Sequence, residues 1–145
     1  MRRATAAERD LLVRWREAFA TETGTMLPAD PQGAVEAALD EGRAFLWVDG
    51  GPVSYTGTSR AAGLGVVRVG PVYTPTVHRG HGYASALVAA ASQQALDSGA
   101  DACMLFTDLA NPTSNKIYAA VGYRPVSDVA MYRFGPASMQ GQAAG

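Results

Sequence analysis

Cysteine is nearly absent from this chain. Cys103 stands alone among 145 residues, which excludes an intrachain disulfide and any zinc site built on several cysteines. It falls within an apolar stretch, where a free cysteine behaves as a small hydrophobe. Lysine is as scarce, with arginine outnumbering it eleven to one, a codon-usage habit more than a function. The formal net charge is −1, so there is no basic face for nucleic acid and no acidic tail. No continuous apolar run follows Met1-Arg2-Arg3, so neither a signal peptide nor a spanning helix is read, and the cytoplasm is the expected location. No internal repeat is visible.

What is present suits one small α/β (α+β) domain. A length of 145 residues with 48% hydrophobic side chains allows a single core. Thr5-Ala6-Ala7-Glu8 has the form of a capping box, and Leu11, Leu12, Trp15 and Phe19 recur at helical spacing, predicting a helix over Ala6 to Ala20. An aromatic stripe at that spacing reads as core. Gly24 to Ala29 is a loop, Asp30-Pro31 caps a second helix, and Gly42 closes it. Arg43 to Asp49 and Val53 to Arg60 form a hairpin through Asp49-Gly50-Gly51-Pro52, and Leu64 to Thr74 returns as a third strand. Gly57 and Gly65 mark bulges or a close approach by a ligand. Tyr83 to Ser98 is a helix packed on the sheet and capped by Gly99. Ala102 to Thr107 reads as a strand buried on both faces and paired in parallel. Asn111-Pro112 opens a last helix ending at Gly122, followed by a strand over Tyr123 to Phe134. This places a domain at 1–134 and a flexible tail at 135–145.

The functional signal lies at Val69 to Ala84. A strand runs through Val72, Tyr73 and Thr74, turns at Pro75, and enters the Ala-rich helix through Arg79-Gly80-His81-Gly82. Such an entry offers free backbone N–H groups, the positive end of a helix dipole and a guanidinium, which together suit a phosphate. Gly80 and Gly82, lacking a Cβ, allow positive φ and close approach of a diphosphate. A dinucleotide-binding domain shares the Gly-x-Gly opening, with Ser85 as the third small residue, but it needs an acid at the end of the next strand. Asp101 begins that strand and Asp108 lies too far along. No Gly-Lys-Ser/Thr follows, which excludes a Walker loop.

Arg79-Gly80-His81-Gly82-Tyr83-Ala84 resembles the Arg/Gln-x-x-Gly-x-Gly/Ala signature of the GNAT superfamily of acyl-CoA-dependent N-acyltransferases. Asn111 to Tyr123 is similar to the same family's Asn-x-x-Ala-x-x-Leu/Ile-Tyr-x-x-x-Gly-Phe/Tyr segment. The resemblance implies helices on both sides of a mixed, mostly antiparallel sheet, with splayed parallel strands around the pantetheine arm. It implies acetyl-CoA as co-substrate, no metal, and a small-molecule or peptide amine as acceptor. The implied oxyanion donor is the N–H of Val72, with Tyr73 and Thr74 pairing to pantetheine through the main chain. Arg79, Gly80, His81, Gly82, Tyr83 and Ala84 are the implied diphosphate loop. Asn111 and Asn115 fall to the pantetheine arm or to capping and solvent. Tyr118 matches the family's proton donor. Asp108 is the best carboxylate for a general base, and because Arg68 stands where many relatives carry an acid, a water chain is the alternative. His78 and His81 read as solvated bystanders.

The resemblance departs at the beginning. GNAT domains usually start with a strand, and Met1 to Ala4 do not read as one, so the first strand is expected to be missing. The 43–49 strand would then be an open apolar edge, covered by a second copy of the chain or by a missing N-terminal lobe. A noncatalytic module that binds CoA or a partner on the same scaffold is the alternative function.

Overall fold

The capping box forms: the Thr5 amide donates to Glu8 Oε2 at 2.5 Å and Arg2 Nη2 donates to Glu8 Oε1 at 2.6 Å. This holds a 3-10 turn, Ala6–Glu8, at the entry to helix α1, Arg9–Thr23, which runs three residues past the predicted end. Gly24 stops it with φ 68°, a conformation that a Cβ disfavours. In helix α2, Pro31–Asp40, the Asp30 side chain accepts from Gly33 N at 3.0 Å while Pro31 takes the first position, where no N–H is needed. The computed structural model describes residues 1–60, 65–107, 112–125, 129–132 and 141–144, the last two ranges by their main chain alone. It divides into two compact units, Met1–Met104 and Leu105–Gly145.

The first unit is built on a five-stranded sheet in the order β1-β2-β3-β4-β5. Its strands are β1 Arg2–Arg3, β2 Ala44–Val48, β3 Pro52–Arg60, β4 Val66–Tyr73 and β5 Ala102–Met104. All pairs are antiparallel except β4 with β5, which helix α3, Tyr83–Asp97, connects in parallel. Directly opposed residues share a face of the sheet, so the register sorts the core. Leu46, Tyr55 and Tyr73 lie on the face where Leu12 of α1 and Val35 and Ala38 of α2 pack, with Trp15 and Phe19 half-buried beside them as core. Phe45, Val67 and Val69 fill the other face, against which α3 buries Leu87, Val88 and Ala91.

A first strand is present, contrary to the reading of the sequence. Arg2 pairs with Leu46 and Arg3 with Phe45, and the Ala4 amide donates to Ala44 O at 2.9 Å. Two arginines can form a strand because pairing uses only main-chain groups, and their long side chains remain in water. The 43–49 edge is therefore covered by the chain's own residues at Ala44, Phe45 and Leu46, and the reason for invoking a second copy or a missing lobe falls away.

The parallel strand is also shorter than expected. Its ladder with β4 holds three pairs, from Val66↔Ala102 to Arg68↔Met104, and its burial is partial, with Ala102 exposed and Phe106, just beyond it, 46% exposed. Cys103 is half-buried, with its thiol donating to Ser92 O at 3.5 Å. In the second unit, helix α4 is Pro112–Val121, and β6 Val129–Tyr132 pairs antiparallel with β7 Gly141–Ala144. Strand β7 thus lies inside the stretch expected as a tail.

Candidate active site

Strand β4 carries a bulge where the sequence places chemistry. Thr56 opposes Val72 and Thr58 opposes Val69, so Gly57 alone stands across from both Gly70 and Pro71. The extra residue shifts the alternation, leaving Val69 and Val72 on one face although three positions separate them. A Cβ on Gly57 would meet Gly70 O and the Tyr55 hydroxyl oxygen, each at 3.3 Å, so the bulge relies on a bare backbone opposite it. Past Arg68, strand β4 continues for five residues without a partner strand on the β5 side, among the described residues.

At the end of β4 the main chain is pinned. The Ser54 hydroxyl donates to Tyr73 O at 3.1 Å, which leaves its lone pairs to receive the Thr74 hydroxyl at 2.8 Å. Arg79 turns back over this point: Nε donates to Thr74 O at 2.8 Å, Nη2 meets Glu22 Oε2 at 2.6 Å, and the guanidinium carbon lies 5.9 Å from the centre of the Tyr73 ring. That ring in turn sits 6.0 Å from Trp15. The guanidinium read as a phosphate ligand thus also joins the last turn of α1 to the loop. Glu22 carries no signal in the sequence, because 57 residues separate it from Arg79.

The loop itself takes the conformation that its glycines allow. Gly80 has φ 84° and Gly82 φ 78°, with open space where each Cβ would be. The first bond of α3 is Ala86 N to Gly82 O at 3.0 Å. Among the described residues, the amides from Gly80 to Ser85 donate to no main-chain carbonyl, so a row of N–H groups is concentrated at the positive end of a 15-residue helix. His81 stacks on Tyr83, ring centres 5.3 Å apart, and its Nδ1 lies 3.1 Å from His78 O. The Tyr83 hydroxyl donates to Asp49 Oδ2, and this bond, with minor help from burial, raises the phenol above its usual value. Asp49, read from sequence only as a turn residue, anchors the hairpin to the start of α3.

In the second unit, Asn115 and Tyr118 are three positions apart on α4 and therefore share a face. The Thr107 hydroxyl donates to Asn115 Oδ1 at 2.9 Å. Burial, and secondarily the nearby Tyr123, push the Tyr118 phenol above its ordinary value. Tyr118 O accepts from Gly122 N at 3.2 Å and Tyr123 N at 3.0 Å, which closes the helix. Asp108 and Asn111 lie outside the described residues. Among the described residues no group of three His, Cys, Asp or Glu could hold a metal, and no helix is long and apolar enough to cross a membrane.

The family model described as Acetyltransferase (GNAT) family matches residues 9–123. The chain belongs to the GNAT family. Solved structures repeat its fold at low identity. A putative acetyltransferase, yncA, from Salmonella typhimurium with its cofactor acetyl-CoA is 15% identical with TM-score 0.78, covering 99% of this chain and 89% of that one. Ribosomal-protein-alanine N-acetyltransferase from Brucella melitensis is 17% identical with TM-score 0.73, covering 89% and 86%. Aminoglycoside N-acetyltransferase AAC(6')-Iy in complex with CoA is 19% identical with TM-score 0.72, covering 92% of each chain. No curated protein sequence matches. In this GNAT domain the matched segment spans both sequence motifs, the bulged strand β4 and helix α4.

Proposed function

We propose that this GNAT domain is a cytoplasmic, metal-independent N-acetyltransferase that moves an acetyl group from acetyl-CoA directly to a primary amine, with no covalent enzyme intermediate. The observation that carries the proposal is the bulge at Gly70-Pro71 leading into a row of unpaired amides at Gly80 to Ser85. In this reading those amides hold the diphosphate, Arg79 adds its remaining donors, and Tyr73 and Thr74 guide the pantetheine arm by main-chain bonds. Asn115 and Asn111 hold the same arm from helix α4.

The chemistry sets the remaining roles. An alkylamine with pKa near ~10.4 is free base in only about one molecule in two thousand at pH 7, so the site must desolvate it or take its proton. Asp108 or a water chain takes that proton. Nitrogen attack on the thioester carbon opens the C=O bond, and the Val72 N–H stabilises the oxyanion. Collapse re-forms the carbonyl, breaks the C–S bond and expels a thiolate, which takes its proton from Tyr118, and the second proton that the acylated nitrogen sheds returns through solvent to the phenolate. A phenol raised by burial remains protonated while a thiol of pKa near ~8.5 ionises, which fits that donor.

The test is a thiol-release assay with acetyl-CoA across a panel of primary amines, paired with thermal shifts for acetyl-CoA, CoA and NAD. Acetyl-CoA and CoA at a hundred times their Kd should stabilise by about 2.7 kcal/mol, and at least one amine should release thiol. A shift with NAD alone would overturn the proposal in favour of a dinucleotide site. CoA binding without turnover on any amine would favour a noncatalytic module.

A further inference from the structure

The other end of the sheet gathers positive charge. A groove of about 590 Å³ opens there between the sheet and the C-terminal half of α3, and Arg3 of β1, Arg43 just before β2 and Arg60 at the end of β3 line it. The register sets the three along one diagonal. Arg3 opposes Phe45; Arg43 precedes Phe45 by two residues, and its carbonyl accepts from Thr58 N at 2.9 Å; Arg60 follows Thr58 by two residues. Each Cα is therefore one strand and two residues from the next, about 8 Å.

The side chains narrow that spacing toward one end. Arg3 reaches to the turn beside Arg43: a Cβ on Gly42 would stand 3.4 Å from its Nε and 3.6 Å from its Cζ. Arg43 reaches onward to the strand that carries Arg60, its Nη1 donating to Thr58 O at 2.9 Å. Its Nε is held on Glu41 Oε2 at 2.5 Å, which fixes the guanidinium plane while Nη2 makes no bond among the described residues. Glu41 is the one carboxylate in the lining, so the corner keeps an excess of two positive charges. The guanidinium groups of Arg3 and Arg60 form no ion pair or hydrogen bond among the described residues. Like charges gathered without partners repel one another, and an anion relieves that repulsion. The end of α3 does not oppose one with bare carbonyls, because those of Gln94, Ala95 and Leu96 accept bonds from the amides of Ser98, Ala100 and Gly99.

We propose that this corner binds a compact oxyanion of charge two, as free phosphate or as the terminal phosphate of a small phosphomonoester. A carboxylate engages one guanidinium fork, whereas a phosphate offers oxygens on several sides and accepts from several guanidinium groups at once. The charge of a phosphate, about −1.5 to −2 near neutral pH, also matches the excess at the corner. The site is distinct from the diphosphate loop: Ala95, in its wall, is twelve residues along α3 from Tyr83, about 18 Å by helical rise.

The test is a titration with inorganic phosphate at low ionic strength, followed by NMR at the amides of Gly42, Arg43 and Ser59, with nitrate as the singly charged control and glycerol 3-phosphate as the ester. Reading those amides alone keeps phosphate taken up at Gly80 to Ser85 out of the curve. Wild-type protein is expected to show one saturable curve for phosphate, and nitrate at least about tenfold weaker. Arg3→Gln with Arg60→Gln should weaken phosphate by about tenfold or more, the worth of a charge-assisted hydrogen bond. Tighter glycerol 3-phosphate would identify an ester as the ligand, and tighter phosphate the free ion. No saturable shift at these amides, nitrate equal to phosphate, or an unchanged curve in the double variant would each overturn the proposal. If the double variant does not fold, Arg60→Gln, exposed at a strand end, replaces it with an expected loss of about threefold or more. None of these outcomes depends on acetyl transfer, so the proposed enzyme function stands or falls separately.

Discussion

Tyr118 is the residue on which turnover should depend most steeply. Burial, and secondarily Tyr123, raises its phenol above the ordinary value of about 10, so no alkaline loss of activity below that point should come from it. Tyr118→Phe removes one oxygen from a helix that keeps its packing. The expected result is a fall in kcat of about 10²-fold or more with KM for acetyl-CoA changed by less than about twofold, measured by steady-state thiol release. Equal loss of both would remove the proton-donor role. A second residue makes a prediction about stability. Arg2, with smaller contributions from Thr5, lowers the Glu8 carboxyl to about 2. A depressed folded-state value stabilises above the unfolded value of about 4.3 and is lost as pH falls toward 2. Because Arg2 is 44% exposed, solvent screening limits the contribution to about 1 kcal/mol. Glu8→Gln should lower stability by that amount at pH 7 and by much less at pH 2, where the folded carboxyl is half protonated, as read by urea unfolding.

At the scale of elements, β1 is small but consequential. Removal of Met1–Ala4 would expose the β2 edge at Phe45 and Leu46, two residues that are 5% and 0% exposed in the folded chain. The shortened protein should melt several degrees lower and associate with increasing concentration in sedimentation; an unchanged monomer with the same melting temperature would show that the strand does not matter. This strand was also the element least legible in the sequence. Two residues have no periodicity, and their pairing partners lie more than forty positions away. Strand β5 misled for the opposite reason: an apolar run reads as buried from end to end, yet only three pairs with β4 form before the ladder stops. By contrast the helices were readable within a few residues, α1 running three past its expected end. Asp30-Pro31, Gly42 and the Gly80-x-Gly82 entry are local signals whose cause lies within a few positions of their effect. The site divides the same way. The positive φ of its glycines was legible, whereas Glu22 on Arg79 and Asp49 on Tyr83 depend on folding to bring distant residues together.

For the molecule as a whole, a net charge of −1 supplies no long-range attraction for an anionic substrate, so the proposed function requires contacts at the loop to recognise the diphosphate. The most direct measurement is a calorimetric comparison of acetyl-CoA with acetyl-pantetheine, which carries the same thioester and arm but no diphosphate. If the amides of Gly80 to Ser85 grip the diphosphate, acetyl-CoA should bind at least about 100-fold more tightly, the worth of a few charge-assisted hydrogen bonds. Equal affinity for the two compounds, or no affinity for acetyl-CoA, would contradict it.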